Sequence, residues 1–64
     1  MIEVNGEAEE SRNETVDAIL HRRGIDHRGI AVALNGEVVR RSEWSTTIVG
    51  DGTKLEIVTA AAGG

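Results

Sequence analysis

Ile30-Ala31-Val32-Ala33-Leu34-Asn35-Gly36-Glu37-Val38-Val39 is the stretch from which the rest of the chain can be read. Its first five residues alternate bulky Ile30, Val32 and Leu34 with Ala31 and Ala33, the two-residue period of a strand with one large face and one small face. Asn35-Gly36 then supplies the pair that most readily takes the positive φ angles of a type I′ turn, and Glu37-Val38-Val39 is the returning arm. The stretch predicts a β-hairpin.

The same signal recurs upstream. Met1-Ile2-Glu3-Val4 alternates, Asn5-Gly6 follows, and a first hairpin is expected to return through Glu7 to Glu10. Ser11 to Glu14 reads as a loop, after which Thr15 offers a hydroxyl to cap a helix and Asp17 suits its first turn. Val16, Ile19, Leu20 and Arg23 follow the i, i+3, i+4, i+7 spacing, so a helix from Thr15 to Arg23, about 13 Å long, is expected to end at Gly24. Downstream, Arg40 to Thr47 has no clean period and is read as holding a short helical turn. Gly50-Asp51-Gly52 is a turn cluster, and Lys54-Leu55-Glu56-Ile57-Val58 alternates as a last strand.

The order is therefore hairpin, helix, hairpin, strand. Two hairpins cannot bury their apolar faces alone. One sheet with the helix across it can bury Ile2, Val4, Val16, Ile19, Leu20, Ile30, Val32, Leu34, Leu55 and Ile57 together. This is an α+β chain of the β-grasp type, with a mixed sheet of four to five strands. A domain over 1–59 is expected, followed by a flexible tail over 60–64.

Composition narrows the chemistry. With 64 residues there is room for one domain and little room for an enclosed catalytic cavity. Val and Ile make up 13 of the 25 apolar residues, which favours strands. The chain has no cysteine, hence no disulfide, thiolate nucleophile, Cys-ligated zinc or side-chain persulfide. Eleven acidic residues against seven basic ones give a formal charge of −4, which opposes binding to a phosphate backbone, and a single aromatic, Trp44, offers no stacking platform. No apolar run approaches the roughly 20 residues of a membrane span, and the N-terminus lacks the pattern of a signal peptide. The expectations are a cytoplasmic protein, monomeric when free, with no nucleic-acid or membrane partner.

The remaining feature is Ala60-Ala61-Ala62-Gly63-Gly64. Extended, the six residues after Val58 reach about 20 Å. Glycines at Gly63 and Gly64 would let backbone and carboxylate pass through a narrow channel that any side chain would obstruct. A carboxylate is a poor electrophile, so its use requires activation by ATP to an acyl-adenylate, from which a sulfur nucleophile can displace AMP. Small residues gather at chain ends anyway, and on its own the tail is an ordinary terminus. What gives it weight is its place directly after a β-grasp pattern.

Over essentially its whole length the chain resembles the ThiS sulfur carriers of thiamine biosynthesis, within the ubiquitin-like group that also holds the small subunits of molybdopterin synthase. The resemblance rests on Thr15-Val16 with Ile19-Leu20, on Val32-Ala33-Leu34-Asn35-Gly36-Glu37-Val38-Val39, on Arg41-Ser42-Glu43-Trp44, on Asp51-Gly52 and on Gly63-Gly64, in that order. Three positions depart from the family's habit: Arg40 where proline is frequent, Thr53 where a second turn aspartate is common, and Ala62 where a branched residue often precedes the glycines. The resemblance implies a carrier that is not itself an enzyme and binds no cofactor. Its Gly64 would be adenylated by an E1-like, ThiF-like enzyme using ATP. A sulfur donor, such as a cysteine desulfurase or rhodanese-like protein, would convert it to a thiocarboxylate, and a ThiG-like thiazole synthase would take the sulfur. Gly63 would give access. Conjugation of Gly64 to a target lysine, or sulfur delivery to molybdopterin or amino-acid synthesis, are the alternatives.

Other residues have plainer readings. Trp44 is expected in the core rather than at an interface. His21 and His27 are expected on the surface with no metal role, and Asp17 with His21 as no more than an i, i+4 pair. Arg22 and Arg23 suit the negative end of the helix; Glu7, Glu9, Glu10 and Glu14 are read as blunting a sheet edge and aiding solubility. On the sheet face away from the helix, Ala31, Ala33 and Val58 are expected to meet a partner.

Overall fold

The computed structural model describes residues 1–59. Strands β1 (Ile2–Val4) and β2 (Glu7–Glu9) form the first hairpin, and β3 (Glu14–Thr15) leads into helix α1 (Val16–Arg22). Strands β4 (Ile30–Leu34) and β5 (Glu37–Val39) form the second hairpin. A 3-10 turn at Arg41–Glu43, strand β6 (Ile48–Val49) and strand β7 (Lys54–Thr59) follow. The main sheet has five strands in the order β2-β1-β7-β4-β5, while β3 and β6 make a separate two-stranded ladder. β7 lies parallel to β1 and antiparallel to β4, so the sheet is mixed and its last strand is central.

Register puts the bulky residues on one side. Val4 stands beside Leu55, Leu34 on the other flank of Leu55, and Val32 beside Ile57. The helix lays Val16, Ile19 and Leu20 onto that side. Ile2, Val4, Val32, Trp44, Val49 and Leu55 complete the buried core, with Ile30, Leu34, Val39 and Ile57 partly buried against it. Of the ten residues expected in the core, seven are buried, and Ile30, Leu34 and Ile57 lie at its edge. Val49 was not among the ten, and Trp44, only 3% exposed, is the expected core residue, its indole N–H donating to the Val39 carbonyl at 2.9 Å.

The helix begins and ends where its capping residues require. Thr15 is extended, at φ −74° and ψ 160°, and its hydroxyl accepts the Ala18 N–H at 3.0 Å. Arg23 closes the C-terminus, and Gly24 follows at φ +70°, the left-handed turn glycine takes without strain. Two more free N–H groups of the first turn donate outside the helix, Val16 to the Thr47 carbonyl and Asp17 to the Trp44 carbonyl, both at 3.0 Å. The aperiodic segment after β5 therefore has a task. It wraps the helix start and supplies carbonyl caps, and the expected short helical turn is its 3-10 piece.

Two expectations need correction. Glu14 was placed in a loop, yet with Thr15 it pairs antiparallel to Ile48 and Val49. Glu9 and Glu14 were read as solubilising charges on an exposed hairpin. Instead the Arg22 guanidinium lies 2.6 Å from Glu9 and 2.8 Å from Glu14, and Arg23 also pairs with Glu9. The fold brings the end of β2 and the last helical turn together, so four charges form one network.

Candidate partner face and tail exit

β7 is the element that connects core to tail. Its final residue, Thr59, stands opposite Ile30 at the start of β4, so the chain leaves the sheet beside that strand. Ala60 to Gly64 follow in sequence; the predicted reactive Gly64 and its neighbour Gly63 lie outside the described residues.

The sheet face opposite the helix is set by the same alternation that fills the core. Ala31 pairs across with Val58, Ala33 with Glu56 on one flank and with Val38 on the other. Together they line a depression of about 190 Å³. Val58 is 56% exposed and Val38 77%, whereas Leu55 on the same strand as Val58 is fully buried. Ala31, Ala33 and Val58 are thus gathered on one open surface. Val38 and Glu56 belong to it and were missed, although adjacent Val38 and Val39 cannot face the same way in a strand.

A wider open bowl of about 830 Å³ lies at another corner, bordered by Met1, Ser11, Arg12, Glu14, Arg22 and Asp51. Several of its charges pair with one another. The Arg22 side chain donates to Glu14 at 2.8 and 3.1 Å, the Ser11 hydroxyl donates at 2.8 Å, and the Met1 amine pairs with Asp51. The Arg22 hydrogen bonds, then that of Ser11, hold the Glu14 carboxyl below the usual range, and Glu14 followed by Glu9 pushes Arg22 up. The Met1 amine likewise holds Asp51 down. Glu14, Arg22 and Asp51 are thus already engaged within the chain.

His27 corrects another expectation. It meets Trp44 edge-on at a centroid distance of 5.7 Å and an interplanar angle of 85°, and its Nδ1 is 3.3 Å from Asp17. Asp17 pairs with His27 rather than with His21. Arg41 stacks 5.5 Å from the Trp44 ring centre and donates to the His27 carbonyl, so this group ties the 25–29 loop to the core edge. Among the described residues no cluster of three or more His, Asp or Glu side chains is placed to hold a metal ion, and no helix is long and apolar enough to cross a membrane.

The model of the ThiS family matches residues 1–64. The chain belongs to the ThiS family. A crystal structure of the thiamine biosynthesis protein ThiS from Geobacter metallireducens superposes on this ThiS-family chain with a TM-score of 0.82 at 28% identity, covering 98% of this chain and 97% of that one. A solution structure of a thiamine biosynthesis protein from the same organism gives 0.74 at 28% identity, covering 98% and 86%. Among curated proteins, a thiazole synthase from Paramagnetospirillum magneticum is 44% identical over 62 residues. That match takes in 95% of this ThiS-family chain but 19% of the relative, so the chain spans about a fifth of the relative's length.

Proposed function

We propose that this chain carries sulfur for the thiazole of thiamine as a thiocarboxylate on Gly64. The observation that supports the reading best is the family match over the whole chain, Gly63-Gly64 included, on a fold whose last strand leads directly into that tail. In the proposed cycle a Gly64 carboxylate oxygen attacks the α-phosphorus of ATP, held by an E1-like adenylating enzyme, and pyrophosphate leaves. A sulfur nucleophile from a persulfide-bearing donor then attacks the carbonyl carbon and AMP departs with the C–O bond's electrons. Reductive cleavage of the resulting acyl persulfide by a thiol leaves the terminal thiocarboxylate. The chain contributes no catalytic side chain; it is a protein co-substrate, and ATP belongs to the activating enzyme.

Thiazole synthase is the proposed acceptor. A stretch 44% identical to nearly the whole chain occurs within a relative bearing that name, an arrangement that would hold carrier and acceptor at high effective concentration. The open face around Ala31, Ala33, Val38 and Val58 is the proposed docking surface, because exposed branched residues side by side on a small domain gain by being covered.

The test is incubation with ATP, the adenylating enzyme and a sulfide source, followed by high-resolution mass spectrometry of the C-terminal peptide. Sulfur replacing oxygen at Gly64 is expected, and deleting Gly64 should abolish it with the domain still folded. A branched peptide on a target lysine would favour conjugation instead. Ala33→Asp should slow adenylation; unchanged kinetics would remove the docking role from this face.

A further inference from the structure

Asn5 and Asn35 occupy equivalent places in the two hairpins, both left-handed at φ 49°. Each does more than turn the chain. Asn35 donates its backbone N–H to the Lys54 carbonyl at 2.8 Å, and its side-chain oxygen accepts the Lys54 N–H at 2.9 Å. The side chain thereby stands in for the main-chain carbonyl that an antiparallel rung would have used. Asn5 repeats the device on the other flank of β7. Its backbone N–H donates to the Leu55 carbonyl at 2.9 Å, its side-chain oxygen accepts the Ile57 N–H at 2.8 Å, and its amide nitrogen donates to the Ile57 carbonyl at 3.2 Å.

The two clamps sit at different ends. β1 partners β7 at Lys54 and Leu55 and then turns away at Asn5, so the Asn5 carboxamide continues the ladder on that flank to Ile57. On the other flank β4 runs on to Thr59. Asn35 holds the start of β7, and Asn5 holds the part nearest the tail.

We propose that Asn5 is a positioning residue for the tail, fixing the line along which the chain leaves Ile57 and so where Gly64 arrives in the adenylating site. The proposal rests on the sulfur-carrier reading. Ile57 is held from both flanks, by the Asn5 carboxamide on one and by pairing with β4 on the other, so loss of the clamp leaves the tail-proximal part of β7 held from one side only. Displacements of about 1 Å are enough to spoil a reacting geometry.

Glycine at this position keeps the left-handed turn and removes only the carboxamide, so N5G isolates the clamp. In steady-state adenylation with the carrier as varied substrate, N5G should lower kcat on the order of tenfold with KM unchanged, since the open face is untouched. N5D retains the acceptor for the Ile57 N–H and should recover most of the rate. N35G should leave kcat near wild type while exposing Lys54. Hydrogen exchange at the Ile57 amide should rise roughly tenfold in N5G, and residual dipolar couplings of Val58 and Thr59 should shift. Wild-type kcat in N5G, or equal losses in N5G and N35G, would overturn the proposal. If the wild-type chain is not adenylated at all, the carrier reading fails instead. The couplings then report on the clamp alone: unchanged values in N5G refute it, and altered values uphold Asn5's control of the strand's exit.

Discussion

Replacing Leu55 with alanine should cost the domain about 3–4 kcal/mol. Leu55 is fully buried in the central strand, with Val4 and Leu34 as its flanking partners. Transfer accounts for ~2.4 kcal/mol, at about 0.8 for each carbon removed, and the cavity left between rigid neighbours adds roughly 1. A domain of 64 residues has about 3–10 kcal/mol in hand, so the variant is severely weakened. With a urea m-value near about 1 kcal/mol/M, the midpoint should fall by roughly 3 M, followed by far-ultraviolet circular dichroism and by Trp44 fluorescence. Val58→Ala, three positions along the same strand but 56% exposed, is the matched control and should move stability by less than about 0.5 kcal/mol. A Leu55→Ala midpoint within about 1 M of wild type, or a Val58→Ala loss of equal size, would refute the assignment of the two sheet faces.

Thr15→Ala removes the hydroxyl that accepts the Ala18 N–H and should cost about 1 kcal/mol, lowering Tm by roughly 4–8 °C in calorimetry. Glu14→Gln tests the Arg22 network through pH. The folded Glu14 carboxyl titrates lower than in the unfolded chain, so its contribution is fully present above an ordinary glutamate pKa of about 4.3 and is lost as pH falls through the lower folded value. Urea melts should therefore show wild type and E14Q furthest apart near neutrality and converging in acid; a constant gap would mean that the charge is irrelevant.

What could be read in advance followed from period and turn chemistry. The Asn-Gly pairs, the Val16-Ile19-Leu20 stripe and the alternation of Ile30 to Leu34 each carry their structural reason within a few residues, and the mixed sheet follows from the need to bury them together. The short ladder between Glu14-Thr15 and Ile48-Val49 could not be read this way, because two-residue strands have no period and exist only where distant segments meet. For the same reason the Trp44 and Thr47 carbonyls went unnoticed as helix caps: backbone acceptors leave no mark in side-chain pattern. Asn5 and Asn35 were legible as turn residues but not as rungs, since that role depends on a strand some 50 and 20 positions away. At the candidate face, Ala31, Ala33 and Val58 were found by alternation, and the same rule applied to Val38 would have completed the set. The pairing of Glu9 with Arg22 and Arg23 needed the third dimension.

The central place of β7 also governs when the domain can form. It is synthesised after the other four strands of that sheet, yet β1 and β4 are joined in the sheet only through it. On a translating ribosome the two hairpins and the helix emerge first, without the strand that connects them. Their shared apolar side, including Val4, Leu20 and Val32, stays without its central partner until Leu55 and Ile57 arrive. Contacts between β1 and β7, about 50 positions apart, close only then, which makes folding slower than for a helical bundle of this size and ties it to the synthesis of β7.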